Sequence, residues 1–579
     1  MSTKKNMLLA FLGALGITAL YFLWAYESFS FFYDINDDVA MRNVAAGVIT
    51  GSPDAHLIHI KYIWGLVIRG LYATVPGFDW YGIGMTGLVS LSLAVLLYRG
   101  LVMERGWLWK LVYVCGILLV FTWLGLKHLV CFQWTVTAGM IGGAGLFLFV
   151  TCQTREGLQS WWEEGASLGL LLLSLCIRDD VFLLVLPAAA LVFWYRHGSF
   201  VRGQIPFRLN HWQIAAALAG GVLVILGVEF FAYKDPEWKS FLAYNQDREA
   251  IMDFYGIPDY QEDQVFYDSM GMREETVVNL HRYSLYLVED IYPEKMHALA
   301  ENARELYEQK NPPLRRMGEG VTKVLQNLLD GQILPLTAFG SLLFIALWIL
   351  LQRQRALSML VLLHLLWGSC WLYLGYRGRV VDRVVYTLLL LQIFTYGGLL
   401  IQALPERILA KEKGTWQNPV ILLTLGFCLV AICQIQIKDL KKNSGERWAY
   451  NQQFLDINQY MAEHMENVYF MTTFSIETYT DNFTLRRDFT FSNLLSVGGW
   501  HSFSQLENKK IEKLGIGGQT MEHAMLTEDH VFVISLVNVD YMDRYFLKKY
   551  GNQYQGRTVV DVQTYGDTDF TVYQFSLAE

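Results

Sequence analysis

The chain has 579 residues, of which 53% are hydrophobic, 15% aromatic and only 17% charged, with a mean hydropathy of +0.26. These values exclude an ordinary soluble protein, which carries about 25% charge, and a disordered one, which lacks apolar content. A net charge of −8, with most acids between rather than within the apolar segments, argues against nucleic acid as a partner.

A bilayer crossing needs roughly 20 apolar residues. Candidate spans fall near 7–26, 82–99, 110–127, 131–151, 164–178, 180–195, 212–232, 333–352, 356–375, 381–402 and 418–437. The expected fold is therefore a polytopic α-helical membrane protein of about 11 transmembrane helices. The first span ends in Tyr21, Phe22, Trp24 and Tyr26 instead of a small-residue cleavage site, so it is expected to stay as an anchor. With the N-terminus inside, each inner segment carries a basic residue, from Lys4 and Lys5 through Arg99, Arg105 and Lys110 to Arg407, Lys411 and Lys413. The positive-inside rule then places the N-terminus in the cytoplasm and the C-terminal region outside the cell membrane.

Four parts follow: an N-terminal transmembrane module at 1–232 with a first outer loop at 27–81, an outer insertion at 233–332, the later membrane helices at 333–437, and an outer domain at 438–579. In the first loop, Asp37-Asp38 open a helical run at 38–49, and Gly51-Ser52-Pro53 breaks it. The run from His56 to Tyr72 carries His59, Lys61 and Arg69, which suits a re-entrant or interfacial helix. In the C-terminal region, 468–471, 531–535, 558–562 and 570–573 have the β-branched and aromatic content of strands, while 453–466 and 540–549 read as helices. That predicts an extracytoplasmic α/β domain. All seven cysteines lie in or beside spans and none pair as CxxC, so neither a disulfide framework nor a thiolate zinc site is expected.

Polar residues at the predicted outer ends of the spans converge on one membrane face. Carboxylates beside a bilayer are costly to place and usually mark a site. Asp37 and Asp38 are candidate catalytic residues, because a carboxylate can take the proton of an attacking hydroxyl; capping of the 38–49 helix is the structural alternative for one of them. Arg377, Arg379 and Arg383 form the densest outer basic cluster and suit phosphate, which arginine pairs bidentately. Arg178, Asp179 and Asp180, with Lys127, His128 and His59, complete the candidate substrate- and phosphate-binding set. No cofactor is required; a divalent cation at the acids of 179–180 is the less favoured alternative. His56 and His59, three residues apart, would share a helix face.

The run Asp37-Asp38-Val39-Ala40-Met41-Arg42-Asn43-Val44-Ala45-Ala46-Gly47-Val48-Ile49-Thr50-Gly51, placed after one span, resembles the integral-membrane glycosyltransferases of the GT-C superfamily. It is most similar to the protein-mannosyltransferase and aminoarabinose-transferase branch. Asp38 stands where that branch has Glu, and no Trp-Trp-Asp-Tyr-Gly motif is present. The resemblance implies a GT-C-like fold, a polyprenyl-phosphate-linked sugar donor, and a glycan, lipid or protein acceptor on the outer face. It implies metal-independent transfer with inversion, Asp37 as base, and arginines on the carrier phosphate. The rival readings are a polysaccharide polymerase or ligase, for which the 233–332 insertion is suited, and a transporter or flippase of lipid-linked glycans. A flippase would hold polar groups at mid-span, where this chain has few.

Overall fold

The computed structural model describes residues 3–103, 105–152, 158–201, 210–351, 356–408, 419–565 and 568–578. It is a multi-pass α-helical membrane protein with a C-terminal α/β unit. Among the described residues, eight helices are long and apolar enough to cross a membrane. They are α1 (Thr3–Ser28), α4 (Trp80–Val102), α5 (Trp107–Leu124), α7 (Trp134–Thr151), α10 (Asn210–Ala232), α16 (Leu334–Leu351), α17 (Ala356–Tyr376) and α18 (Asp382–Ile408). Helices α8 (Leu158–Ile177), α9 (Asp179–Val201) and α19 (Pro419–Glu463) occupy the three remaining expected segments.

Helix α7 is the axis of the bundle: every one of its residues is buried. Lipid tails are as apolar as leucine, so helices in a bilayer associate through close packing and polar contacts between them. Here Ser174 Oγ donates to Ala138 O (2.9 Å) and Ser167 Oγ donates to Gly145 O (2.9 Å). A Cβ at Gly139 would come within 2.7 Å of Thr387, so glycine is what lets α7 and α18 approach.

Between the spans lie short elements at one end of the bundle. Helix α2 (Asn36–Ala46) stops at Gly47, whose φ of +87° suits a residue without Cβ. Its N-cap is Ile35, so neither Asp37 nor Asp38 caps it; both sit in its first turn, where the helix dipole favours negative charge. Helix α3 (Tyr62–Thr74) begins later than the run from His56 suggests. Ile58 takes a φ of +67°, which breaks any helix through 56–61 and sends His56 and His59 to different neighbours. His56 stacks on Trp238 at 4.7 Å and bonds Asp54 at 2.7 Å, whereas His59 faces Trp134 and Trp500. Helix α6 (Leu126–Val130) and the two-residue parallel strands β1 (Phe32–Tyr33) and β2 (Cys131–Phe132) close this layer.

The segment after α10 folds into α11 (Pro236–Glu249), a π turn at 250–255, α12 (Gln264–Ser269), α13 (Glu274–His281), α14 (Met296–Lys310) and α15 (Pro313–Leu328). Helix α19 then runs for 45 residues, about 65–70 Å at 1.5 Å per residue, so it is roughly twice as long as a bilayer crossing needs. The helix expected separately at 453–466 is the far end of this one. Beyond it, strands β3 (Val468–Met471), β4 (Leu494–Ser496), β5 (Val531–Ser535), β6 (Tyr554–Tyr565) and β7 (Thr568–Leu577) form a sheet in the order β4-β3-β5-β7-β6. The first three are parallel, and β7 runs antiparallel to both β5 and β6. Helices α20 (Thr473–Glu477), α21 (Gln505–Lys513), α22 (Met521–Thr527) and α23 (Asp540–Tyr550) connect them.

This unit is fastened to the segment between α1 and α4 by buried charge. Arg42 of α2 is 1% exposed and its Nη2 donates to Asp481 at 2.8 Å. Arg487 reaches the same carboxylate at 2.7 Å, and Asp79 lies 3.9 Å from Arg42. Tyr33 and Tyr72 donate to Asp79 at 2.6 and 3.1 Å. Burial pushes the Asp481 carboxyl up, but Arg42 and Arg487 outweigh it and hold the group below the usual carboxylate range.

Candidate functional site

At one end of the bundle, α2, α7, α9, α11, α17 and α18 and the β4–α21 segment enclose a cavity of about 1200 Å³. Helix polarity explains the convergence. Alternate spans enter and leave at this end, so residues 134, 178–180, 377 and 383 meet although they are far apart in sequence.

The structure separates the acid pair. Asp37 lines the cavity, is half-buried, and takes no hydrogen bond or ion pair from any described residue. Burial raises its carboxyl pKa above the ordinary value, and Arg383 and Arg248 only partly oppose that. Asp38 points the other way and is fully buried. It accepts from Tyr81 Oη at 2.7 Å and from the Trp134 amide at 3.4 Å. Burial dominates again, and Asp38 is pushed well above the carboxylate range. Asp37 is therefore the acid that can touch a ligand, and Asp38 fixes α2 against α4 and α7.

The cations divide in the same way. Lys61 is paired with Asp179 at 2.9 Å, Arg178 with Asp180 at 2.9 Å, and Arg379 with Glu249 and Asp253 at 3.1 and 3.5 Å. Arg248, Arg377 and Arg383 also line the cavity, yet none has a carboxylate partner among the described residues. Arg248 Nε donates to Asn245 at 3.0 Å, and the Arg377 guanidinium lies 5.2 Å from the Phe254 ring. Counting every charged side chain of the lining, seven cations (Lys61, Arg178, Arg248, Arg377, Arg379, Arg383 and Lys510) face six carboxylates (Asp37, Asp179, Asp180, Glu249, Asp253 and Glu507), a small excess of positive charge gathered on the unpaired guanidiniums. A low-dielectric cavity of that kind calls for an anion.

Of the residues expected from sequence, Asp37, His59, Arg178, Asp179, Asp180, Arg377, Arg379 and Arg383 come together here. Lys127 and His128 do not line the cavity. Lys127 reaches Tyr386 Oη at 3.4 Å, and the buried His128 ring lies 5.0 Å from the same tyrosine. Burial first, and the Lys127 charge second, push His128 down to about 3, so it is neutral. His59 is also held neutral, pushed down to about 3 by burial and by Arg178, Arg248 and Arg383. Among the described residues, no three His, Cys, Asp or Glu side chains gather as a metal ligand set.

Sequence reasoning assigns no role to Arg248, Glu507, His501, Lys510 or Trp500. All five line the cavity. Nothing in the sequence separates Arg248 from the other five arginines of the 233–332 segment. Glu507, His501, Lys510 and Trp500 lie in a separate unit whose docking onto the bundle is set by the Arg42–Asp481 contact, which spans 439 residues of sequence.

No family model matches the chain, and no curated protein matches it. Two solved structures are similar over nearly the whole length. One is the crystal structure of ArnT from Cupriavidus metallidurans bound to undecaprenyl phosphate, at 10% identity and a TM-score of 0.40, covering 97% of each chain. The other is the same protein in the apo state, also at 10% identity and 0.40, covering 99% of this chain and 98% of that one.

Proposed function

We propose that the chain transfers a sugar from a polyprenyl-phosphate-linked donor to an acceptor hydroxyl at the outer face of the membrane, by a single inverting displacement that needs no metal. The observation that carries this reading is the charge pattern of the cavity. Asp37, a carboxylate with no hydrogen bond or ion pair from any described residue, shares the cavity with three guanidiniums without carboxylate partners among the described residues, at one end of a membrane bundle.

In this reading Arg248, Arg377 and Arg383 hold the carrier phosphate, and Arg178 and Arg379, already fixed by acids, shape the pocket around it. Asp37 takes the proton of the acceptor hydroxyl. The acceptor oxygen forms a bond to the anomeric carbon as the bond from that carbon to the phosphate oxygen breaks. The electron pair leaves with the carrier phosphate, whose growing charge the arginines stabilise; such preorganised electrostatics usually contributes more to catalysis than any other single effect. The raised Asp37 pKa suits a base, since proton transfer is most efficient when the catalytic pKa nears the working pH. GT-C-like membership, the acceptor class and the cytoplasmic N-terminus belong to the same proposal.

The test is transfer of radiolabelled sugar from undecaprenyl-phosphate-linked donors by the purified protein in lipid, with product anomer read by NMR. Inverted product formed in the presence of a chelator supports the proposal. Absence of transfer from every donor by folded protein that moves lipid-linked glycan between leaflets favours the flippase reading.

A further inference from the structure

The cavity has a second wall, of different chemistry from the arginine wall. His59 lies between two tryptophans, 5.6 Å from Trp134 and 4.7 Å from Trp500. Trp500 in turn lies 5.2 Å from His501. The Arg178 guanidinium stands 4.0 Å from the Trp134 ring, so the row begins at the charged wall. All of these rings line the cavity, and Trp500 and His59 are only half-buried. Aromatics that served the core alone would be covered.

Behind this row stand polar groups without partners. Glu507 is 1% exposed; its Oε2 accepts from Tyr286 at 2.7 Å, while its Oε1 has no partner. His501 Nδ1 is likewise buried and unpartnered. Buried polar atoms are nearly always satisfied, so unpaired ones in the wall of a cavity point to a ligand that supplies the missing bonds. The cavity is also larger than the roughly 300–1,000 Å³ of a typical single-ligand site, which leaves room beside a phosphate.

We propose that the His59–Trp500 wall, with Glu507 and His501 behind it, is a subsite for an uncharged sugar ring, distinct from the arginine subsite for phosphate. This rests on the transferase reading. A pyranose presents a flat array of C–H bonds to an aromatic face and hydroxyls at its edge. The wall offers the same two features: rings to stack on, and a carboxylate and imidazole to accept and donate. His59 is neutral, so no charge competes with stacking. The ring bound there belongs either to the donor or to a glycan acceptor, and the two sources differ in what they bring along.

The experiment uses the full chain in lipid nanodiscs, wild type beside Trp500→Ala and Trp500→Phe. One arm compares binding of undecaprenyl phosphate with that of its glucosyl, galactosyl and mannosyl derivatives. The other records saturation-transfer NMR of methyl glucoside, galactoside, mannoside and N-acetylglucosaminide with undecaprenyl phosphate bound. The expected result is that Trp500→Ala leaves the bare carrier within twofold of wild type and loses at least tenfold in one arm, with Phe restoring most of it. Loss in the first arm assigns the donor sugar, and loss in the second assigns the acceptor. No sugar-dependent binding in wild type, or none lost in Trp500→Ala, overturns the proposal. Should Trp500→Ala fail to fold, His59→Leu takes its place with the same criteria. Failure of wild type to bind bare undecaprenyl phosphate would sink the transferase reading instead, and the glycoside arm, repeated without carrier, would still report on the wall.

Discussion

Replacing Asp481 by Asn should loosen the C-terminal unit from the bundle without touching the cavity. Asp481 is 1% exposed and accepts from Arg42 at 2.8 Å and Arg487 at 2.7 Å. Arg42 is itself 1% exposed, and its Nη1 already lacks a hydrogen-bond partner. Removing the carboxylate charge leaves a buried guanidinium with Asp79, 3.9 Å away, as its nearest counter-charge and the neutral Asn43 Oδ1 as its acceptor. Breaking a buried pair from one side costs about 3–5 kcal/mol, and 1.36 kcal/mol is a factor of ten, so local opening should rise roughly 10²–10⁴-fold. In a protein of this size the effect is best read locally, by hydrogen exchange of the amides in α2 and 479–487. Arg42→Met combined with Asp481→Leu should recover part of the protection, because the fully buried guanidinium is gone, Arg487 is 20% exposed and can turn to water, and Asp79 keeps its Tyr33 and Tyr72 donors. A rise in exchange below tenfold, or a double variant worse than Asp481→Asn, would show that this contact does not fasten the unit. The sign of the pH effect follows from the depressed Asp481 pKa: the stabilisation is present above the unfolded value of about 4 and is lost as pH falls through the lower native value.

Three further outcomes are expected. Arg383→Gln and Arg248→Gln should each weaken undecaprenyl phosphate binding about 10- to 100-fold in a direct titration, since a hydrogen bond to a charged group contributes about 1.5–3 kcal/mol; Lys127→Met, outside the cavity, should change it less than twofold. Asp38→Asn should lower kcat about tenfold or more while leaving the carrier Kd within twofold, because Asp38 holds α2 through Tyr81 and Trp134 and meets no substrate; a shift mainly in Kd would contradict this. The acidic limb of the pH profile of kcat/KM should lie above the ordinary aspartate value, because burial raises the Asp37 pKa and the base is lost as pH falls through it; a limb at or below about pH 4 would count against Asp37.

Much of the membrane part is legible in the sequence because the bilayer itself sets the length of an apolar run. Spans from 7–26 to 418–437 each meet a helix, and even the short pair around Arg178-Asp179-Asp180 is resolved as two, α8 and α9. The parallel β3 and β5 are legible from their β-branched content, whereas β4, only three residues long, carries too little signal. The helix from 453 merges with the last span because no proline lies between 437 and 453 and the helix runs on through Asn443-Ser444-Gly445, which reads locally as a turn. Local spacing misleads where one backbone angle intervenes: Ile58 at φ +67° parts His56 from His59. For the site, Asp37 and the 377–383 cluster stand out because charge at a membrane face is conspicuous. The distinction between Arg379, which is paired, and Arg383, which is not, depends on Glu249 and Asp253 from a distant segment. Trp500 reads as core in any sequence window, and only the docking of the C-terminal unit turns it toward a cavity.

Everything proposed for the reaction depends on Asp37 acting as base on a hydroxyl while the arginines hold the carrier phosphate. Single-turnover transfer by Asp37→Asn, with undecaprenyl phosphate binding measured on the same sample, separates those two roles. The rate should fall about 10²–10⁴-fold, with the carrier bound as well as, or better than, in wild type, since a negative charge has left the neighbourhood of the phosphate. Transfer within fourfold of wild type, or a loss explained wholly by weaker carrier binding, would rule Asp37 out as the base.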